Sequence, residues 1–172
     1  MVSNKKNLIV VVNGMVGFKF LEKFVGLGGN GEYNIRVFGD EPRPAYDRVH
    51  LTEYFSGKTA EDLTLGSRSW YEENGIELTI GTRITGLNRD AKKVTAGGED
   101  FYYGKLVIAT GSTPFVPPVP GIDNEGIFVY RTIEDLDSII SFNKGKKTAA
   151  VIGGGLLGLE AAKAAVDLGL KT

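Results

Sequence analysis

The sequence predicts an α/β fold built on a parallel sheet, and three observations carry that prediction. Two glycine turns, Val12-Asn13-Gly14-Met15-Val16-Gly17 and Gly153-Gly154-Gly155-Leu156-Leu157-Gly158, each follow a short apolar run and open a run of helical periodicity. The apolar runs, Leu8 to Val12 and Thr148 to Ile152, are continuous, as expected of strands covered on both faces. Between the turns lies a stiff connection, Pro114, Pro117, Pro118 and Pro120 followed by Gly121, which can be neither helix nor central strand. Strand, glycine turn and helix in that order point to a Rossmann-like fold followed by the start of a second one.

Each element has its own signal. After Leu8 to Val12, the residues Val16, Phe20, Leu21, Phe24 and Val25 recur at helical spacing, with Lys19, Glu22 and Lys23 turned elsewhere. Gly26 to Gly31 breaks that helix, and Asn34 to Phe38 returns as a strand, placed parallel to the first by a right-handed crossover. Gly39 to Asp47 is turn-rich, and Asp62 to Asn74 reads as loop and then short helix, stopping before Gly75. Glu77 to Ile80 and Arg83 to Asn88 are short strands. Val94-Thr95 and Phe101 to Tyr103, joined through Gly97-Gly98, form a hairpin or meander, and Leu106 to Ala109 is a further strand running into Thr110-Gly111. Thr132 opens a helix with Glu134 and Asp135 in its first turn, and Gly145-Lys146-Lys147 ends it. The domain division implied is 1–118 and 119–172.

Composition narrows the function. A chain of 172 residues is long enough for one ordinary domain, or for one domain and part of another. Net charge is −1, with Lys and Arg scattered among Asp and Glu, so no basic stripe invites nucleic acid. No apolar run approaches the ~20 residues of a membrane span, so no membrane partner is expected. The absence of cysteine removes disulfides, thiolate chemistry and cysteine-held clusters from these residues, and fits a cytoplasmic setting.

The chemistry lies in the turns. In the second, Gly153 permits the tight turn, Gly155 lets a pyrophosphate approach the backbone, and Gly158 allows close packing of helix on strand. The residue that would separate NADH from NADPH falls about 20 positions on, beyond Thr172. The first turn has Val12 where the first glycine belongs, and a β-branched residue held at positive φ costs ~1–3 kcal/mol. Either Val12 replaces that glycine directly, or the strand keeps its length and the loop has lost one glycine. Gly14 and Gly17 remain under both readings. Asp40 and Glu41, just past the second strand, stand where an acid meets an adenosine ribose, unless they are two solvated loop acids. Arg43 to Leu51 is rich in residues suited to a cofactor, although composition alone leaves it an ordinary surface loop. His50, the one histidine, has no catalytic constellation around it in the sequence.

The strings FGDEPRPAYDRVHLTEYF, WYEENGIEL, LVIATGSTPFVPPVPG, VYRTIEDLD and VIGGGLLGLEAAKA resemble the large subunit of NAD(P)H-dependent assimilatory nitrite reductase. More broadly the chain is similar to two-dinucleotide-fold flavoprotein reductases, including rubredoxin and ferredoxin reductases, from about Asn7 to Thr172. The resemblance implies FAD in the first fold and NAD(P)H in the second. By matching motifs it implies Asn13, Gly14 and Gly17 at the FAD pyrophosphate, Asp40 at the ribose, Arg48 on the cofactor and Ile84 at the adenine end. Thr110, Gly111 and Arg131 belong to signatures near the flavin. Gly153, Gly155 and Gly158 take the nicotinamide dinucleotide, with Glu160 near its nicotinamide side. Plain alternatives are a helix-flanking salt bridge for Arg131, a solvated first-turn acid for Glu160, and a structural or flavin-adjacent place for His50. No side chain is implied as nucleophile or general base, and no metal ligand.

The family's chemistry passes hydride from NAD(P)H to FAD and electrons to nitrite through iron–sulfur and sirohaem parts that this sequence does not contain. The chain therefore reads as a fragment, an incomplete FAD-binding domain and a truncated start of an NAD(P)-binding domain, with part of the last helix uncovered and marginal stability alone. Two other readings stand beside this one. One is a reductase of a rubredoxin- or ferredoxin-like carrier. The other is a non-enzymatic remnant, to which Val12 and the short length lend weight. Glu53 stands where some reductases of the wider group have lysine.

Overall fold

The computed structural model describes residues 5–172. Its contacts divide the chain into two compact units, one of residues up to Tyr46 with Thr64–Ser112, the other of Asp47–Leu63 with Thr113–Thr172.

The first unit is built on strand β1 (Lys6–Val11), whose residues Leu8 to Val11 are all buried. Burial of consecutive residues means that both faces of the strand are covered, and the pleat decides what each side chain meets. Leu8 and Val10 pack with Phe18, Leu21, Ile35, Val37, Tyr71 and Ile76. Ile9 and Val11 point the other way, to Phe38, Val94 and Ala96. The first group comes from helix α1 (Met15–Gly26), strand β2 (Tyr33–Phe38) and helix α3 (Arg68–Glu73), with β3 (Ile76–Thr79) alongside. The second face is covered by a three-stranded antiparallel sheet of β4 (Ile84–Asn88), β5 (Lys93–Ala96) and β6 (Glu99–Tyr102). Strand β7 (Lys105–Ile108) completes a four-stranded parallel sheet of order β3-β2-β1-β7. The hairpin turn Gly97-Gly98 has positive φ at both residues, as a two-residue connection between twisted strands requires.

In the first unit two local expectations change. The buried face of α1 is Gly17, Phe18 and Leu21, whereas Val16 is 73% exposed, so Phe18 replaces Val16 in the core stripe. The stretch from Gly26 to Gly31 is not merely a break. After Gly28 turns at φ +83, a single helical turn, α2 (Gly29–Glu32), leads into β2.

In the second unit a 3₁₀ turn, Leu51–Ser56, lies in a stretch that carries no helical periodicity. Helix α4 (Ile133–Asn143) begins with a capping box. The Thr132 hydroxyl accepts from the Asp135 amide, while the Asp135 carboxylate accepts from the Thr132 amide. Helix α5 (Leu156–Asp167) follows the second turn as expected. The expected strand Thr148 to Ile152 does not form. One parallel bridge joins Thr148 to Lys171, with the Ala149 amide donating to the Lys171 carbonyl at 2.9 Å, and Ile152 is 95% exposed. A single residue beside it supports a bridge and not a ladder, and an apolar strand without covering layers gains nothing from extending. Leu156, Leu157 and Leu159 are likewise exposed.

Candidate functional site

The parallel sheet reverses its direction of growth at β1, since the chain leaves through α1 toward β2 on one side while β7 lies on the other. A crevice at the carboxyl ends of such strands is where open α/β sheets bind ligands. The ends are level, because Val11 is in register with both Phe38 and Ile108, and Phe38 with Thr79.

At that edge Val12 donates its amide to the Phe38 carbonyl at 2.9 Å and turns at φ +75. A Cβ on Gly17 would lie 2.5 Å from the Val12 carbonyl oxygen, so only glycine lets α1 approach the strand. Gly14 is the N-cap of α1, makes no side-chain cap, and would place a Cβ in open space. The first-turn amides therefore face that opening with the positive end of the helix dipole behind them. The second turn repeats this plan. Gly153 has φ +125, Gly155 is the N-cap of α5, and a Cβ on Gly158 would fall 1.9 Å from the Gly153 carbonyl oxygen. Val12 thus takes the place that Gly153 has in the second turn. Of the two readings of the damaged turn, direct replacement is the one observed.

Asn13 is 8% exposed. Its Oδ1 accepts a hydrogen bond from the Tyr71 hydroxyl at 2.9 Å, and its Nδ2 has no partner among the described residues. Burying an amide donor unsatisfied is costly, and an anion at the α1 N-terminus would satisfy it. Open space at Gly14, first-turn amides and an orphaned donor together fit the diphosphate of a dinucleotide. Burial pushes the Tyr71 hydroxyl up to about 12, so it stays a neutral donor. Gly39 closes the other flank, where a Cβ would come 3.2 Å from the Asn13 Cβ.

The remaining predicted positions in this unit fall along the same edge. The two acids behave differently, because the Glu41 carboxylate accepts from the Tyr46 hydroxyl at 2.7 Å while Asp40 is exposed. Thr110 and Gly111 follow β7, whose extension donates the Ala109 amide to the Val11 carbonyl at 3.0 Å. Ile84 opens β4 and packs on the same apolar cluster as Val12.

In the second unit, Arg48 and Arg131 are brought together by a long bond of 3.4 Å from the Arg48 guanidinium to the Arg131 carbonyl. It is the Arg131 amide that meets the Asp135 carboxylate, at 3.1 Å, as part of the helix cap. Glu160 is half-buried in α5. Burial chiefly, and the Glu160 charge in addition, raise the pKa of the Tyr130 phenol, whose hydroxyl donates to Thr52 at 3.1 Å. The His50 ring bonds the Asp47 carboxylate through Nδ1 at 2.7 Å, and that bond raises the histidine's pKa. Desolvation works against ionised Asp47, but the His50 bond and the Val49 amide outweigh it and hold its carboxyl below the ordinary value.

Tyr71 and Gly39 are the site residues that sequence reasoning missed. Neither carries a local signal, because each matters through Asn13, 58 residues before Tyr71 in the chain. Tyr71 lay inside the WYEENGIEL string, but nothing in that string names its partner.

A parallel sheet with a glycine turn at its switch point, and a second glycine turn opening α5, define the class of dinucleotide-binding α/β proteins. Known proteins narrow the class. The sequence profile of the pyridine nucleotide-disulphide oxidoreductases matches residues 6–172, and the chain belongs to that family. It is 47% identical over 170 residues to the nitrite reductase (NADH) large subunit of Escherichia coli K12, covering 98% of this chain and 20% of that protein. It is 50% identical over 169 residues to the nitrite reductase [NAD(P)H] large subunit of Klebsiella oxytoca, covering 98% and 18%. The chain thus spans about a fifth of the length of these curated relatives, matching their N-terminal part. The crystal structure of NADH:rubredoxin oxidoreductase from Clostridium acetobutylicum superposes with a TM-score of 0.84 at 30% identity, covering 98% of this chain and 43% of that one. Among the described residues no helix is long and apolar enough to cross a membrane.

Proposed function

We propose that this chain is the FAD-binding and NAD(P)H-receiving module of a nitrite reductase of the large-subunit type, working in the cytoplasm. The observation that carries the reading is the unsatisfied Asn13 amide beside the uncapped N-terminus of α1, at the switch point of the sheet. Asn13, Gly14 and Gly17 would hold the FAD diphosphate, Asp40 its ribose, and Ile84 its adenine end, with Thr110, Gly111, Arg48 and Arg131 serving the flavin part. Gly153, Gly155, Gly158 and Glu160 would serve NAD(P)H. Residues 1–118 are then the FAD part and 119–172 the start of the NAD(P) part, with Asp47–Leu63 belonging to the first by sequence and to the second unit by its contacts.

When bound, FAD supplies an acceptor for the hydride of NAD(P)H and a donor of single electrons to iron–sulfur and sirohaem centres in further parts of such an enzyme, where nitrite is reduced. The chain's own residues bind and orient. First-turn amides and Asn13 would donate to the diphosphate, while Gly17 lets α1 lie close to the end of β1 and Gly158 lets α5 lie close to the Gly153 turn, so that the donors stand where the ligand needs them. The likeness to NADH:rubredoxin oxidoreductase favours a second reading, in which the acceptor is a small electron-carrier protein.

The test is to purify the full chain and record its visible absorbance with and without added FAD. A flavin spectrum that bleaches with NADH supports the reading. A protein that stays colourless after FAD is added, while folded by circular dichroism, refutes it for this chain and leaves a non-enzymatic remnant.

A further inference from the structure

Asn13 can present either its oxygen or its amino group to the opening at Gly14, and only the amino group suits an anion. The choice is made inside the core. Tyr71 is 1% exposed and lies among Phe18 and Trp70, with ring centroids 6.1 and 5.1 Å away. The Tyr71 hydroxyl donates to Asn13 Oδ1 at 2.9 Å. The Asn13 oxygen is therefore turned toward the core and Nδ2 away from it, one residue before the N-cap of α1. We propose that Tyr71 is a positioning residue, fixing the Asn13 amide so that its NH2 group donates to the diphosphate of the bound dinucleotide. This rests on the reading of the first turn as the FAD site, and it assigns a task to a residue that touches no ligand.

The experiment is a double-mutant cycle on the full chain with Tyr71→Phe and Asn13→Ala, titrated with FAD, with ADP as the minimal diphosphate, and with adenosine as the phosphate-free control. Each single variant is expected to weaken FAD and ADP by about tenfold, the worth of one charge-assisted hydrogen bond. The double variant should be no weaker than Asn13→Ala, and adenosine should be bound equally by all four proteins. A merely structural Tyr71 would weaken adenosine as much as ADP and would act independently of Asn13, and either result overturns the proposal. Asn13→Asp provides a second check, since it keeps an acceptor for Tyr71 but puts a carboxylate oxygen against the diphosphate. It should lose more than Asn13→Ala, and equal or tighter binding also overturns the proposal. The series is repeated with Val12→Gly in every protein. If only the Val12→Gly proteins bind FAD, the functional reading fails for the natural chain while the cycle still decides the role of Tyr71. If neither background binds FAD or ADP, both fail.

Discussion

The turn at Val12 gives a prediction whose sign runs against the ordinary rule for glycine. An alanine in the left-handed region costs ~1–2 kcal/mol relative to glycine, whereas glycine costs ~0.5–1 kcal/mol through the freedom it gives the unfolded chain. Val12 turns at φ +75 and lays its side chain against the cluster of Ile9, Val11, Phe38, Val94 and Ala96. Both Val12→Ala and Val12→Gly remove that packing, so comparing the two cancels it and isolates the backbone. Glycine should then exceed alanine by about 0.5–1 kcal/mol, equivalent to ~2–4 °C in Tm per kcal/mol for a chain of this size. Against valine, glycine relieves ~1–3 kcal/mol of strain but forfeits about 1 kcal/mol of half-buried methyl surface and ~0.5–1 kcal/mol through unfolded-chain freedom, so the two should lie within about 1.5 kcal/mol of each other. Urea unfolding midpoints of the three proteins measure this without any cofactor. An alanine variant equal to or more stable than the glycine variant would mean that residue 12 does not turn through positive φ, and the account of the first turn would fall with it.

The two other glycines of this turn should separate fold from binding. Gly17→Ala forces α1 off the Val12 carbonyl and should cost ~1–3 kcal/mol in urea unfolding. Gly14→Ala has extended φ and open space, so stability should change by less than ~0.5 kcal/mol while FAD titration shows weaker binding. Tyr71 should make the protein sensitive to alkali. Its folded pKa of about 12 lies above the unfolded value of 10.0, so its contribution is complete below about pH 10 and is lost as pH rises toward 12. That amounts to ~2–3 kcal/mol in unfolding free energy, and Tyr71→Phe should flatten the slope in that window. His50, bonded to Asp47, should titrate by NMR above its ordinary 6.5 and drop back in Asp47→Asn. Its stabilisation is present below the unfolded pKa and is lost as pH rises through the folded one.

Features set by near neighbours in the chain were legible from sequence. The apolar run at β1, the Gly97-Gly98 hairpin and the Thr132 to Asp135 cap each depend on residues within a few positions of one another, and each formed as expected. The strain at Val12 was legible for the same reason. Features set by distant partners were not. Thr148 to Ile152 has the composition of a buried strand, but composition cannot supply the neighbours that bury it. Val16 and Phe18 both fit a helical stripe, and only the position of Trp70 and Tyr71 beneath α1 selects Phe18. Asp40 and Glu41 look alike in sequence, and it is Tyr46 that commits one of them.

The close approach of Gly39 to Asn13 has an evolutionary consequence. The two positions sit at the ends of different strands, yet any side chain at 39 would press on the Cβ at 13 from 3.2 Å. Their substitutions are therefore epistatic. A side chain gained at 39 must push position 13 aside by a few tenths of an ångström, and that shift acts on the amide that Tyr71 holds. As long as asparagine is kept at 13, glycine just before Asp40 leaves that amide undisturbed, through a contact that no comparison of single sites would reveal.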